Sequence, residues 1–250
     1  MLNCFKASPN GASFSSKEIN LLSVFCARPT EHPYEVSSWS EMKDYYDPSD
    51  VIRAAALMVS VADQFKGNNN FEYDLVDIVR QAIAERGRLT EKVAEAAYAA
   101  GDKVLYKEAA DRFLRLILLQ DELLGTRSEF KVGTWIGRAR SLGNTAGEKD
   151  LYEWNARVQI TTWGNRNAAD DGGLRDYAHR EWNGILKDFY YMRWKTWFDY
   201  QMQRLEGKNP AEIDFYAIEE PWTKATNAYP SEPEGDCIPT VKRIFAEIFD

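Results

Sequence analysis

The 250-residue sequence has three cysteines, two histidines, no long apolar run and no surplus of basic charge, and each shortage closes off a class of protein. Cys4, Cys26 and Cys237 are odd in number, widely spaced and without a CxxC pair, so neither a disulfide framework nor a zinc site is indicated. No window approaches the ~18 consecutive apolar residues of a membrane span. The first nine residues lack the apolar segment of ~7–15 residues that a secretory signal carries. Lys and Arg number 31 against 39 Asp and Glu, a formal charge of −8. Nucleic acid and anionic membrane surfaces both reward basic clusters, so neither is expected as a partner. Taken by itself, the chain reads as a reduced, cytoplasmic protein with neither metal nor cofactor.

What the sequence does have is length enough for a hydrophobic core of its own and an unusual load of aromatics, eight of them tryptophan. Such side chains serve cores, interfaces and sugar sites alike, so their number raises a question without answering it. Residues 1–47 form an irregular lead-in with Pro9, Gly11, Pro29 and Pro33, and Leu21-Leu22-Ser23-Val24-Phe25 is its one candidate strand. From 48 to 250 the periodicity is helical. Asp47-Pro48 supplies an N-cap and a first-turn proline, and Gly67 with Asn68-Asn69-Asn70 closes that first helix. A second helix is predicted from about 71 to 100, with Gly87 tolerated inside it at a cost of ~1 kcal/mol. Asp102 caps a third that stops at Gly125. A fourth runs from Ser128 to Leu142, and a fifth from Asn144 or Thr145 to about Trp163-Gly164.

Residues 165–173 read as a polar loop without regular pattern, followed by a long sixth helix over 174–205. Two shorter helices complete the chain near 210–227 and 236–249. Nowhere do strands alternate with helices, so the expected fold is an all-α bundle of about eight helices behind the irregular lead-in. On the sixth helix Leu186, Tyr190, Trp194 and Trp197 follow one face, and Ala178, Trp182, Ile185 and Phe189 another. A helix apolar on two sides is either buried on both or presents its second face to a partner, and composition does not choose between them.

A search for catalytic chemistry finds little. GxGxxG, Walker, HExxH and GxSxG motifs are all missing. His32 and His179 are isolated and read as structural. Asp170-Asp171, in the polar loop, is the only carboxylate pair worth weighing. Adjacent loop residues seldom hold the ~5 Å separation that retaining glycoside hydrolysis needs, so a solvated loop is the preferred reading. No catalytic residue is assigned.

Several segments nevertheless carry a specific resemblance. Leu151-Tyr152-Glu153-Trp154-Asn155-Ala156-Arg157-Val158-Gln159-Ile160-Thr161-Thr162-Trp163-Gly164 precedes the polar loop. Asp176-Tyr177-Ala178-His179-Arg180 and Asp188-Phe189-Tyr190-Tyr191-Met192-Arg193-Trp194 follow it. Upstream lie Tyr73-Asp74-Leu75-Val76-Asp77-Ile78-Val79-Arg80-Gln81, Gly133-Thr134-Trp135-Ile136-Gly137-Arg138-Ala139-Arg140, and Val24-Phe25-Cys26-Ala27-Arg28-Pro29. In this order, from about residue 22 to the end, they resemble the C-terminal helical domain of the α-N-acetylglucosaminidases of glycoside hydrolase family 89.

The resemblance implies an exo-acting enzyme that hydrolyses terminal α-linked N-acetylglucosamine with retention, using two glutamates on a preceding (β/α)8 barrel. The chain then looks like an excised or truncated C-terminal domain, inactive alone, whose partners are that barrel and the glycan. The parent would be secreted, periplasmic or lysosomal, so the lack of a leader here loses its meaning. Carried over by residue, the sugar-pocket wall would comprise Trp163, Leu174 and Tyr177, with Asp176 orienting a neighbour. An indole at a helix end can stack on a pyranose C–H face, and a tyrosine hydroxyl both donates and accepts. For Trp163 alone, ordinary helix-end packing is the competing reading. The loop 165–173 is longer than the family pattern, which bears on the placing of Leu174. An exposed aromatic patch of several hundred square ångströms is expected where the barrel should dock. The alternative function is a stand-alone helical carbohydrate-binding module, or a bundle that self-associates through that surface.

Overall fold

The computed structural model describes residues 23–30, 35–37, 40–41 and 46–249. Among them are eight α-helices: α1 Pro48–Val61, α2 Asn69–Ala100, α3 Lys103–Gly125, α4 Val132–Ser141, α5 Ala146–Gln159, α6 Tyr191–Leu205, α7 Phe215–Lys224 and α8 Cys237–Phe249. The fold is an all-α bundle, as the periodicity predicts. A two-stranded antiparallel ribbon pairs Glu35–Ser37 with Ser40–Glu41. No described helix is long and apolar enough to cross a membrane.

Local chemistry sets most helix starts. The Asp47 carboxylate accepts from the Ser49 N–H at 2.9 Å, and Asp102 accepts from Val104 and Leu105. Thr145 and Glu148 close a reciprocal capping box at α5, satisfying first-turn donors that have no partner within the helix. The asparagines after Gly67 do not close α1: Asn68 caps α2, its side chain accepting from Phe71 N–H at 3.1 Å. The fourth helix is also shorter than predicted. Ser128–Phe130 is a 3-10 turn, and Lys131 is extended before α4 begins.

The α2–α3 hairpin is the spine of the bundle, with α1 and α8 on one flank and α6 on the other. The expected strand at Leu21–Phe25 is replaced by a 3-10 turn, Val24–Cys26, capped by Ser23; Leu21 and Leu22 lie outside the described residues. Phe25 is fully buried in that turn and meets Phe113 of α3 edge-on at 5.1 Å. Phe113 continues to Trp194 at 4.4 Å, and the Trp194 indole N–H returns to the Phe25 carbonyl at 3.1 Å. The sixth helix is the largest correction. Residues 174–184 are not α-helical; a π-helical turn, Leu186–Tyr190, leads into α6. Asp176 and His179 have φ of 61° and 42°, and Gly184 has φ of 93°. No right-handed helix passes through such residues.

Gly87 is a requirement rather than a tolerated weakness. A Cβ there would lie 2.5 Å from the Phe25 ring, which has no room to retreat. Gly87→Ala is therefore expected to lose about 1–3 kcal/mol by overpacking, more than the ~1 kcal/mol that alanine gains in a helix. Urea denaturation checks this: a raised midpoint for the variant would contradict the close approach, whereas adding Phe25→Leu should recover part of the loss.

Candidate functional site

After Gln159 the chain leaves α5 in a tight turn whose Thr161 hydroxyl donates to the Arg157 carbonyl at 2.6 Å. Trp163 follows with φ of 61° and donates its N–H to the Val158 carbonyl at 2.8 Å. The only non-glycine residues with positive φ among those described are Trp163, Asp176 and His179. Each such residue costs on the order of 1–3 kcal/mol and persists only where its surroundings enforce it.

That enforcement comes from buried charge. The Asp176 N–H donates to the Thr161 carbonyl at 2.9 Å, tying the second segment to the first. Its carboxylate, 2% exposed with the rest of the residue, pairs with Arg193 Nη1 at 2.8 Å. Arg193, wholly buried in α6, also donates to Glu219 Oε1 of α7 at 2.7 Å and to the Cys26 carbonyl at 3.2 Å. Arg28 clamps the same Glu219 with two bonds of 2.9 and 2.6 Å, and reaches Asp170 at 2.7 Å. These carboxylates hold the Arg193 guanidinium charged, well above its ordinary pKa, against the burial that would lower it.

Asp170 is thus an anchor rather than part of a solvated loop. The segment around it is ordered too, as a π-helical turn, Asn167–Asp171. Asp171 remains exposed, and no acid/base pair forms with its neighbour. His179 lies in an irregular segment, not a helix. Burial first, then the charges of Arg193 and Arg180, push its imidazole down to about 4.

The four sequence-predicted wall residues separate in space. Trp163 and Tyr177 come together, ring centroids 5.2 Å apart at 46°, with 39% and 53% of each residue exposed. Leu174 is similarly exposed and donates its N–H to the Ala168 carbonyl, but it does not line the cleft that the aromatic pair borders. Asp176 lies beneath that surface, its carboxylate turned inward to Arg193.

The cleft measures about 490 Å³ and has a second aromatic pair that sequence reading missed, Trp135 with Trp182 at 6.0 Å. Trp135 is legible as part of a motif, and Trp182 as part of a presumed helix. Their juxtaposition depends on Lys131 bridging to Asn183, a contact with no local signature. Glu129 is the cleft's carboxylate, and it is bound to Arg127 at 2.8 Å. No group of three or more His, Cys, Asp or Glu among the described residues is arranged to hold a metal ion.

Comparison with known proteins converges on one family. The model of the α-N-acetylglucosaminidase (NAGLU) C-terminal domain matches residues 12–247. Human α-N-acetylglucosaminidase is 28% identical over 211 residues, which is 82% of this chain and 28% of the human one. A family 89 glycoside hydrolase from Clostridium perfringens, solved with 2-acetamido-1,2-dideoxynojirmycin, superposes with a TM-score of 0.86 at 36% identity. That match covers 91% of this chain and 27% of the other. A double variant from the same organism, in complex with its substrate GlcNAc-α-1,4-galactose, gives a TM-score of 0.85 at 36% identity. It covers 90% of this chain and 26% of the other. The chain therefore spans little more than a quarter of these relatives.

Two measurements test the supporting frame. Glu219→Gln leaves two guanidinium groups under-compensated in a dry site, and should cost about 3–5 kcal/mol of unfolding free energy. A loss below about 1 kcal/mol would mean the pairs are not the frame. His179 has a folded pKa of about 4, below its free value of 6.5, so the unfolded chain binds the extra proton as pH falls. Stability from this residue is complete above pH ~6.5 and declines toward pH 4, by roughly 2–3 kcal/mol at most. Asp121, raised to about 6 by burial, acts with the opposite sign over part of that window. The effect is therefore read as the difference from His179→Asn, which tolerates positive φ. Parallel stability–pH curves for the two proteins would refute it.

Proposed function

The chain belongs to the family of α-N-acetylglucosaminidase C-terminal domains, and from that membership we propose that Trp163 and Tyr177 form one wall of a pocket for terminal α-linked N-acetylglucosamine. A catalytic barrel of the same enzyme supplies the other walls and the two glutamates that carry out retaining hydrolysis. The observation carrying this reading is the pair itself: two half-exposed rings, 5.2 Å apart, on backbone held in a costly conformation at the edge of a cleft. An exposed tryptophan at positive φ is expensive to maintain for packing alone.

The wall's chemistry follows from the side chains. The Trp163 face stacks on pyranose C–H bonds, which carry partial positive charge toward the ring's π-cloud. Glycoside hydrolysis passes through an oxocarbenium-like transition state, and a π face beside it favours the developing cation. The Tyr177 hydroxyl can donate to one sugar oxygen and accept from another. Asp176 contributes by holding both segments in place rather than by touching sugar. No residue of this chain is assigned as acid, base or nucleophile, so the chain alone is expected to turn over no aryl α-N-acetylglucosaminide.

The test grafts this chain onto the Clostridium perfringens enzyme in place of its matching segment. Trp163→Ala should lower kcat/KM for GlcNAc-α-1,4-galactose at least roughly tenfold, since a stacked aromatic contributes about 0.5–1.5 kcal/mol beyond its buried area. Tyr177→Phe should lower it by less. Unchanged kcat/KM in the Trp163 variant would remove the wall assignment.

A further inference from the structure

Beneath the strained segment lies a group of buried polar atoms with no oxygen or nitrogen partner among the described residues. They are Gln120 Oε1, the Tyr190 hydroxyl, Arg193 Nη2 and both ring nitrogens of His179. Asp176 Oδ1, ion-paired to Arg193 at 2.8 Å but otherwise unbonded, belongs to the same place. Only one further atom of this kind lies elsewhere among the described residues, Arg86 Nε on α2. Buried polar groups without partners are rare and costly, so their concentration at one point calls for a ligand.

The atoms converge because their residues are already tied together around Cys26. Arg193 donates to the Cys26 carbonyl at 3.2 Å, and its guanidinium stands 5.5 Å from the centre of the Tyr190 ring. The Tyr190 hydroxyl faces the Cys26 thiol, a weak partner in either direction. The His179 N–H donates to the Asp176 carbonyl at 3.1 Å. Two residues further on, Glu181 accepts from Gln120 Nε2 at 2.6 Å and from Arg80 at 2.5 Å. Burial, then the charges of Glu181 and Asp176, push the Cys26 thiol pKa up, so both carboxylates are felt at this point.

We propose that these residues form an internal hydration site, with ordered water bound between α3, the 176–181 segment and the start of α6. The choice of ligand follows from the donors and acceptors present. Gln120 offers an acceptor, Arg193 a donor, Tyr190 either, and a neutral imidazole one of each. His179 is neutral here, its pKa pushed down to about 4. Only a molecule that both donates and accepts answers such a set. Charge is already balanced, with Arg28, Arg80 and Arg193 against Asp176, Glu181 and Glu219. An ion would add an uncompensated buried charge. Buried water makes about three hydrogen bonds, so the five unpartnered atoms correspond to about two molecules. Bound there, water joins the Arg193 anchor to the Arg80–Glu181 anchor and makes one continuous network under the strained segment. The inference concerns the frame and is independent of what the cleft above it binds.

A high-resolution crystal structure of the full 250-residue chain tests this directly. Water within ~3.2 Å of more than one of Gln120 Oε1, Tyr190 Oη, Arg193 Nη2 and the His179 nitrogens is the expected result. Direct pairing of these groups with one another overturns the proposal, and so does a halide or metal ion in their midst. In solution, oxygen-17 relaxation dispersion counts the internal waters that a protein holds for long times. Tyr190→Phe removes the hydroxyl and keeps the ring, and should lower that count by about one relative to the parent. An unchanged count in a variant that folds by circular dichroism overturns the site. The parent crystal structure needs no substitution, so it decides the question if Tyr190→Phe does not fold.

Discussion

Everything at the candidate site depends on one buried carboxylate. Glu219 is 0% exposed and receives two guanidinium groups, Arg193 at 2.7 Å and Arg28 at 2.6 Å. Arg193 extends to Asp176 and to the Cys26 carbonyl, and Arg28 extends to Asp170. Four pieces of chain far apart in sequence thus meet in one network: the segment around Cys26, the strained loop, α6 and α7. Hydrophobic residues of equal volume could stabilise such a site as well or better. What they could not do is define direction. A bidentate clamp fixes its partner's orientation as well as its distance, and apolar packing at this depth would let the loop slide.

The consequence of fixed direction is visible above the network. Trp163, Asp176 and His179 occupy backbone conformations that side-chain-bearing residues rarely adopt, and all three stand within a few residues of an anchor. Strain of this kind survives only if the structure over-determines it. Here the Asp176 N–H holds the Trp163 turn while its carboxylate is held by α6. The aromatic pair is therefore displayed on a rigid frame rather than a mobile loop. For stacking recognition that matters, because a ring already in place loses little entropy on binding.

How much of the fold is legible in the sequence follows from range. Helix starts at Asp47, Asp102 and Thr145 are legible because a cap is an interaction between residues two or three apart. Trp163 and Tyr177 are legible through resemblance; their proximity is not, because it depends on the Asp176 N–H reaching back to the Thr161 carbonyl across the loop. The segment 174–185 misleads because Ala178, Trp182 and Ile185 carry helical spacing, while what bends it is distant. Lys131 bridges to Asn183, Asp121 accepts from Gly184, and Gln120 donates to Glu181 at 2.6 Å. Gly87 misleads for the same reason. Its neighbour in space, Phe25, is 62 positions away, and no helix propensity encodes that.

The aromatic surplus divides by what the rings touch. Phe25, Phe113, Trp194 and Phe198 form a buried column in which each ring meets the next edge-on or tilted. The two-faced helix of the sequence reading dissolves instead: Ala178, Trp182, Ile185 and Phe189 all precede α6, and of the first face only Trp194 and Trp197 lie on it. Trp135, Trp163, Tyr177 and Trp182 belong to a different set. Trp163, Tyr177 and Trp182 sit in the irregular segments between helices and Trp135 in the first turns of α4, and together they border a single cleft. A core tryptophan would hide its faces against neighbours at all sides. Trp135, Trp163 and Tyr177 are exposed, and the backbone strain is at Trp163 and, next to Tyr177, at Asp176. That combination separates these rings from the buried column more sharply than any count of aromatic residues does.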